Sequence, residues 1–323
     1  MNTPLLEIDN LVVSFSTLHG DVEVLDGISF GISEGEIVGL VGESGSGKSV
    51  TAFSTIRLLG SQGHINDGKI VFDGDDLVAK SEIAMTKIRG RDISMIFQEP
   101  MTSLNPVFTI GLQISEVLSE HLGLARSEAR EQAINLLAKV GIPAPEERIN
   151  DYPHQLSGGM RQRVMIAIAL ACQPRLLIAD EPTTALDVTV QAQILDLLRK
   201  LRQDNAMAIL LITHDFGIIA DITDRVVVMY AGQIVEQAPV EALFEAPLHP
   251  YSRLLMESIP TVTARRDVLP VIDGVAPVAT AYPSGCRFHV RCPKMQEKCR
   301  DEMPALEEVS SQRSVRCWFP EGV

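Results

Sequence analysis

The sequence lacks both a membrane-spanning segment and a recognisable secretory signal. Its longest apolar run, residues 164–172, is about half as long as a spanning helix needs to be. Residues 1–10 do not show a basic stretch followed by an apolar one. We therefore expect neither a secreted nor an integral membrane protein, and we expect any connection to a membrane to run through a partner.

Basic residues are also scarce. The chain has 28 lysines and arginines against 42 acidic residues, which gives a formal net charge of −14 at pH 7. Such a balance disfavours non-specific binding to nucleic acid or to anionic membranes, so we expect no nucleic-acid partner. The apolar content of 46% and the charged content of 22% are typical of a globular protein. A length of 323 residues allows one large α/β domain with an appended module, or two domains.

Short apolar segments alternate with amphipathic helices along most of the chain. Residues 36–41 (EIVGLV), 175–179 (RLLIA) and 208–213 (AILLIT) have the composition of buried strands, whereas residues 111–152 carry helical patterns. Alternating buried strands and helices predict an α/β fold with a mainly parallel sheet covered on both sides. Beyond Gly232 the sequence is richer in proline, and we expect irregular structure there.

The strongest functional signal is a glycine-rich loop between a predicted strand and a predicted helix. It matches the pattern G-x-x-x-x-G-K-[ST] with Gly42, Glu43, Ser44, Gly45, Ser46, Gly47, Lys48 and Ser49. The glycines let successive backbone N–H groups point at phosphate oxygens, and the helix N-terminus adds a favourable dipole. We expect Lys48 to reach the β- and γ-phosphates of ATP and the Ser49 hydroxyl to bind Mg²⁺. The alternative is an ordinary glycine turn, but a chance match in this strand–loop–helix context is rare.

Two acidic residues end the apolar strand that begins near residue 175. Asp180 and Glu181 emerge at its carboxyl end, where ligands bind in parallel sheets. We expect Asp180 to hold Mg²⁺ through water and Glu181 to polarise the attacking water as a general base. Such a pair alone is more often structural, so this interpretation depends on the glycine-rich loop.

A second loop suited to anions, Ser157-Gly158-Gly159, precedes another predicted helix. Its N–H groups and the helix dipole favour a phosphate, although the pattern alone is more often a plain N-cap. One ATP molecule does not need two such loops in one chain. We therefore expect this loop to serve the nucleotide held by a second subunit.

These motifs, in this order, resemble the ABC ATPase family, whose signature corresponds to the Ser157 loop. The resemblance implies that Phe15 stacks on adenine. It implies that Gln98 senses the nucleotide, contributes to the Mg²⁺ site and touches the transmembrane subunits. It also implies that Asp187, in Ala185-Leu186-Asp187, crosses a dimer interface, and that His214 is a switch histidine near the γ-phosphate.

Longer stretches are similar to the dipeptide and oligopeptide importer subfamily. They are residues 96–106 (IFQEPMTSLNP), 152–165 (YPHQLSGGMRQRVM), 180–188 (DEPTTALDV) and 249–251 (HPY), followed by a cysteine-containing tail. This resemblance implies an ATP-hydrolysing subunit that powers a bacterial peptide importer from the cytoplasmic face of the inner membrane. The implied partners are a second homologous ATPase, two permease subunits and an extracytoplasmic substrate-binding protein.

The same resemblance implies a domain division. Residues 1–245 would form the ABC ATPase domain, with an antiparallel β-subdomain and a helical subdomain at about residues 85–160, and residues 246–323 a small Cys-rich domain. An importer of another solute, such as nickel or an oligosaccharide, remains an alternative. A soluble ABC ATPase of DNA repair or translation would carry coiled-coil insertions or tandem cassettes, which this sequence lacks. A regulatory module that does not hydrolyse ATP would not need Glu181 and His214.

Four of the five cysteines lie beyond residue 285, with the spacing C-x₅-C-x₆-C-x₁₇-C. Without a secretion signal, such clustering favours a metal site over disulfides. The C-x₂₋₄-C pair of structural zinc sites is absent, whereas four thiolates suit an iron–sulfur cluster. The subfamily resemblance also implies a [4Fe-4S] cluster. We rank that cluster first, zinc second and four free thiols third, with ligands Cys286, Cys292, Cys299 and Cys317.

Overall fold

The computed structural model describes residues 4–99, 103–183, 187–258, 272–310 and 312–322. The chain divides into two compact units, each built from several chain segments. The first unit includes residues 33–36 and 79–212, and the second includes residues 4–32, 37–78 and 213–323. No described helix combines the length and the apolar composition that crossing a bilayer requires.

The elements of the described residues follow in chain order. The strands are β1 (Leu6–Thr17), β2 (Gly20–Ile32), β3 (Ile37–Val41), β4 (Gly63–Phe72), β5 (Asp75–Asp76), β6 (Ile93–Ile96), β7 (Leu176–Asp180), β8 (Ala208–Ile212), β9 (Arg225–Tyr230), β10 (Gln233–Pro239), β11 (Glu307–Ser310) and β12 (Arg313–Val315). The helices are α1 (Lys48–Thr55), α2 (Glu82–Ile88), α3 (Ile110–Leu122), α4 (Arg126–Lys139), α5 (Pro145–Arg148), α6 (Gly158–Leu170), α7 (Val188–Asn205), α8 (Phe216–Ile222), α9 (Val240–Glu245), α10 (Pro250–Glu257) and α11 (Lys298–Asp301).

The first unit contains three parallel strands, in the order β8-β7-β6. Leu176 pairs with Ile93 on one side and with Ala208 on the other. All residues of the three strands are buried, which explains their continuous apolar sequences. The predicted strands near residues 175 and 208 are therefore confirmed.

Helices α3 and α4 follow the amphipathic patterns predicted for residues 111–152. Helix α3 begins at the Thr109 cap, whose hydroxyl accepts from the Leu112 N–H, and ends at Gly123 with a φ of +68°. It packs against α4. The buried residues of the pair are spaced at helical intervals: Ile110, Ile114 and Leu118 on α3, and Ala129, Ala133 and Leu137 on α4.

The second unit contains an antiparallel sheet in the order β2-β1-β4-β5. Leu6 of β1 pairs with Ile32 of β2 and with Phe72 of β4. Register shifts interrupt β1 after Ile8, next to Asn10, whose φ is +47°. The N-terminal strands of the sequence thus form a sheet of their own.

The same unit also contains the run β11-β12-β10-β9-β3. Strand β3 pairs with β9 in parallel, and the other neighbours are antiparallel. The expectation of irregular structure beyond Gly232 is wrong for residues 233–257, which form β10, α9 and α10. Ile234 and Val235 give β10 an apolar, β-prone stretch, and they are buried.

Residues 272–322 contain short elements held together by local hydrogen bonds. The Cys286 N–H donates to the Cys299 carbonyl at 2.8 Å, and a 3₁₀ turn spans His289–Arg291. Arg287 anchors this segment to other parts of the second unit, because its guanidinium donates to the Ala231 carbonyl and to the Asp26 carboxylate, each at 2.6 Å.

Candidate functional site

The glycine-rich loop lies between β3 and α1, in the second unit. Gly42 has a φ of +152° and Gly47 a φ of +104°, a region that residues with side chains rarely adopt. A Cβ at Gly42 would lie 2.2 Å from the Met229 carbonyl oxygen, and one at Gly47 would lie 2.6 Å from Leu25 Cδ2. Both positions therefore require glycine, and they fix the tight curve of the loop.

Lys48 begins α1, and its side chain turns back into the loop. Its Nζ donates to the carbonyl oxygens of Gly42 and Glu43, each at 2.8 Å. The residue is only 9% exposed. Ser49 follows in the first turn of α1, where backbone N–H groups have no partner within the helix and favour an anion.

Two residues distant in sequence also contact this loop. The Glu43 N–H donates to the Tyr251 hydroxyl, and Arg291 Nη1 donates to the Glu43 carboxylate, each at 2.9 Å. Sequence reasoning missed both contacts. Tyr251 belongs to a motif noticed only as a family resemblance, and no motif contains Arg291.

Asp180 and Glu181 lie at the end of β7, in the first unit. Asp180 is buried, with 3% exposure. Glu181 has a φ of +48°, and its backbone N–H donates to the Ile212 carbonyl at 2.8 Å. A glutamate in this left-handed conformation is strained relative to glycine or asparagine. Gln98 Nε2 donates to the Glu181 carboxylate at 3.0 Å, so the structure brings these two predicted residues together.

Ser157 is the N-cap of α6. Its hydroxyl accepts from the Met160 N–H at 3.3 Å, and Gly158 and Gly159 form the first turn. Ser157 and Gly158 are exposed, and Gly159 is half-buried. The N-terminus of this 13-residue helix therefore faces outward, where an anion from another molecule has access to it.

The remaining predicted residues have separate positions. Asp187 caps α7 by accepting from the Val190 N–H at 2.9 Å, while Ala185 and Leu186 lie outside the described residues. Phe15 lies in β1 opposite Val22 and Gly63. His214 is exposed, in the segment that joins β8 to α8.

The predicted residues therefore divide between the two units. The first unit holds Gln98, Ser157, Gly158, Gly159, Asp180, Glu181 and Asp187. The second unit holds the glycine-rich loop, Phe15, His214 and the four tail cysteines.

The four tail thiols line one pocket of the second unit, together with His249 and His289. Burial raises the pKa of Cys317 to about 11, and the three neighbouring thiols raise it as well. Among the described residues, no group of three or more His, Cys, Asp or Glu side chains is arranged to hold a metal ion.

Two family models match the sequence. Residues 25–184 match the ABC transporter model, and residues 235–299 match the model described as oligopeptide/dipeptide transporter, C-terminal region. The chain is 53% identical over 318 residues to the oligopeptide transport ATP-binding protein AppD of Bacillus subtilis (strain 168), covering 98% of this chain and 97% of the relative. The chain is an ABC transporter ATP-binding protein of the oligopeptide/dipeptide family. It is also 47% identical over 316 residues to the dipeptide transport ATP-binding protein DppD of Escherichia coli (strain K12), with 98% and 97% coverage.

Solved structures share the ABC ATPase fold. One is the dimeric post-hydrolysis state of the ATP-binding cassette MJ0796 bound to ADP and Pi. It has a TM-score of 0.67 and 28% sequence identity, and the match covers 73% of this chain and 98% of the MJ0796 chain. Another is cbiO1 from Clostridium perfringens, part of the ABC transporter complex cbiONQ. It has a TM-score of 0.64 and 28% sequence identity, and the match covers 76% of this chain and 92% of the cbiO1 chain. The family and the ATPase class predicted from the motifs are confirmed.

Proposed function

We propose that this ABC transporter protein binds and hydrolyses ATP to power the uptake of dipeptides or oligopeptides. The observation that carries the proposal is the near-full-length similarity to relatives named for oligopeptide and dipeptide transport. The second family match, at residues 235–299, supports the same class of solute. The glycine-rich loop supports ATP binding, because its curve and Lys48 suit a chain of phosphates.

The hydrolytic step requires a water molecule to attack the γ-phosphorus while the bond to the bridging oxygen of ADP breaks. We assign the general base to Glu181, whose carboxylate takes the proton of that water. Gln98 supports this role, since its amide holds the carboxylate at 3.0 Å. We assign His214 to the γ-phosphate and Phe15 to the adenine ring.

We propose Mg²⁺ as the metal that accompanies ATP, because it prefers oxygen ligands such as hydroxyl, amide and carboxylate groups. We assign the Ser49 hydroxyl, the Gln98 side-chain oxygen and, through water, the Asp180 carboxylate as its ligands. Mg²⁺, when bound with ATP, neutralises negative charge on the phosphates.

A second ATPase subunit completes the proposed site. The exposed Ser157 loop, at the N-terminus of α6, suits the γ-phosphate of ATP bound to a neighbouring subunit. We assign Asp187 to the contact between the two subunits. The second ATPase is a homologous but distinct chain in this proposal.

The proposed assembly has two permease subunits and an extracytoplasmic binding protein. The ATPase pair docks on the cytoplasmic face of the inner membrane, with the region around Gln98 against the permease. We assign residues 1–245 to the ATPase domain, with its helical subdomain at about residues 85–160, and residues 246–323 to the C-terminal Cys-rich domain.

We also propose a [4Fe-4S] cluster on the four tail cysteines. The observation that supports it is that the four thiols line one pocket. In a cubane cluster each thiolate binds a different iron, so the four sulfur atoms need not converge on one point. The cluster would cross-link a segment that has few large buried side chains, as metals do in small domains. Zinc is the second candidate.

Uptake by a reconstituted transporter tests the proposed solute. The chain would be co-expressed with its second ATPase, permeases and binding protein, and placed in proteoliposomes containing ATP. We expect ATP-dependent uptake of labelled dipeptides or oligopeptides, and none with Glu181→Gln. ATP-dependent uptake of nickel or an oligosaccharide, without peptide uptake, would contradict the peptide assignment but not the ATPase role.

A further inference from the structure

Two residues outside the ATP motifs fix the second residue of the glycine-rich loop. The Glu43 N–H donates to the Tyr251 hydroxyl at 2.9 Å. The Glu43 carboxylate accepts from Arg291 Nη1, also at 2.9 Å. One contact holds the backbone of Glu43 and the other holds its side chain, so together they define both its position and its orientation.

Arg291 is itself held firmly. Its side chain is 5% exposed, against 27% for Glu43. Besides Glu43 it donates to the Tyr230 hydroxyl at 3.2 Å, to the Asp273 carbonyl at 2.9 Å and to the Ile272 carbonyl at 3.2 Å. A planar guanidinium with acceptors on several sides has little freedom, so the geometry of this ion pair is fixed.

Tyr251 is fixed by aromatic packing. Its ring is fully buried and lies 4.6 Å from the Tyr230 ring and 5.3 Å from the Phe288 ring, between centroids. Phe288 and Arg291 belong to the same short tail segment, residues 286–292, which begins and ends with a cysteine. This segment therefore supports both contacts to Glu43.

The support extends to the phosphate-binding lysine. Lys48 Nζ donates to the Glu43 carbonyl at 2.8 Å. A shift of Glu43 would move this carbonyl, and with it one of the groups that orient the ammonium. The chain of contacts thus runs from the tail through Glu43 to Lys48.

We propose that Arg291 and Tyr251 are positioning residues of the ATP site, which give the glycine-rich loop its binding shape through Glu43. The C-terminal region thereby contributes to ATP affinity within the same chain. This inference rests on the ATP site alone, and not on the identity of the solute or on a bound metal.

ATP affinity of the isolated full-length chain provides the first test, by displacement of a fluorescent ATP analogue. Arg291→Met keeps an unbranched side chain in place of the aliphatic stem but removes the charge and the donors, leaving Glu43 half-buried without its partner. We expect Kd to rise about tenfold. The matched control is Arg253→Met, which breaks exposed ion pairs with Glu257 and Glu321 and should leave Kd unchanged.

A double-mutant cycle with Glu43→Gln separates positioning from direct attraction to the phosphates. If Arg291 acts through Glu43, Arg291→Met has little further effect in the Glu43→Gln background. If Arg291 instead attracts the phosphates by its charge, the same tenfold loss recurs in that background. Recurrence of the full loss would overturn the positioning role.

Tyr251→Phe tests the second contact with a smaller change. It keeps the packed ring but leaves the Glu43 N–H without its acceptor, and we expect a rise in Kd of several-fold. The control is Tyr282→Phe, because the buried Tyr282 hydroxyl has no hydrogen-bond partner among the described residues. That change should leave Kd unaltered.

Thermal unfolding and metal content would be measured for each variant, since Arg291 adjoins Cys292. If Arg291→Met unfolds the chain, the Tyr251→Phe variant decides the question. Unchanged ATP affinity in folded Arg291→Met and Tyr251→Phe variants overturns the inference. Failure of the unmodified chain to bind ATP would instead overturn the ATP site itself.

Discussion

The side-chain amide of Gln98 donates a hydrogen bond of 3.0 Å to the carboxylate of Glu181. The two residues are 83 positions apart and belong to separate motifs, yet they meet within one unit. This contact orients the carboxylate of the proposed base. A glutamine at position 181 can accept the same bond through its amide oxygen, which makes it a well-matched substitution.

Glu181→Gln should stop hydrolysis without weakening ATP binding. The amide keeps the shape and the contact with Gln98 but cannot take a proton from water. We expect turnover of the assembled transporter to fall by about 10²- to 10⁴-fold, with ATP affinity unchanged. Phosphate release and nucleotide binding measure the two quantities, and normal turnover would show that another group is the base.

Lys48→Ala should act on ATP binding itself. The variant removes the buried ammonium inside the loop, and with it the proposed charge-assisted contact to the phosphates. We expect ATP affinity to fall by about 10- to 100-fold. Lys69→Ala, which removes an exposed lysine of β4 in the same unit, is the control and should bind ATP normally.

The fold and the ATP motifs were largely predictable because their signals are local. The buried strand before Asp180 and the glycine pattern of residues 42–49 each depend on a few adjacent residues. The contacts of Glu43 with Tyr251 and Arg291 were not predictable, because they join residues more than 200 positions apart. Nor did the proline content beyond Gly232 predict β10, whose structure depends on pairing with β9.

The isolated chain should be a poor ATPase. Each proposed site needs the Ser157 loop of a partner subunit. ATP hydrolysis by the monomer should therefore be slow, even when the monomer has bound ATP. Assembly with the second ATPase and the permease should raise turnover markedly. Steady-state phosphate release, measured alongside molar mass in solution, tests this. Full turnover by a demonstrated monomer would contradict the shared site.

The tail should bind iron. Anaerobically purified protein is expected to be brown, with about four iron and four sulfide per chain for a cubane cluster. Cys292→Ser should lower the iron content, whereas Cys172→Ser, which changes a cysteine of the other unit, should not. Elemental analysis decides among the alternatives. Stoichiometric zinc without iron would support the zinc alternative. A protein that contains neither metal would contradict the proposed metal site.

Acid should destabilise the protein through His249. Burial lowers the pKa of His249 from 6.5 to about 3 in the folded state. Between these two values the unfolded chain binds a proton that the folded chain does not. The contribution of His249 to the free energy of unfolding is therefore unaffected above about pH 6.5, and it falls by about 1.4 kcal/mol per pH unit between there and about pH 3.

His249→Asn isolates this contribution. Asparagine can still cap α10 by accepting from the Tyr251 N–H, as His249 Nδ1 does at 3.0 Å, but it does not titrate. We expect melting temperature to drop less between pH 7.5 and pH 5.5 in this variant than in the unmodified chain. His19→Asn, in an exposed turn, should keep the full drop, and an equal drop in both variants would exclude His249 as the cause.

The left-handed backbone at Glu181 has a consequence for how such chains evolve. Stability alone would favour glycine or asparagine at a φ of +48°, whereas the proposed mechanism of hydrolysis needs a carboxylate there. Selection for heat resistance without selection for transport would therefore tend to replace this glutamate. A cassette with glycine at the corresponding position is expected to have a higher free energy of unfolding and to lack ATP hydrolysis.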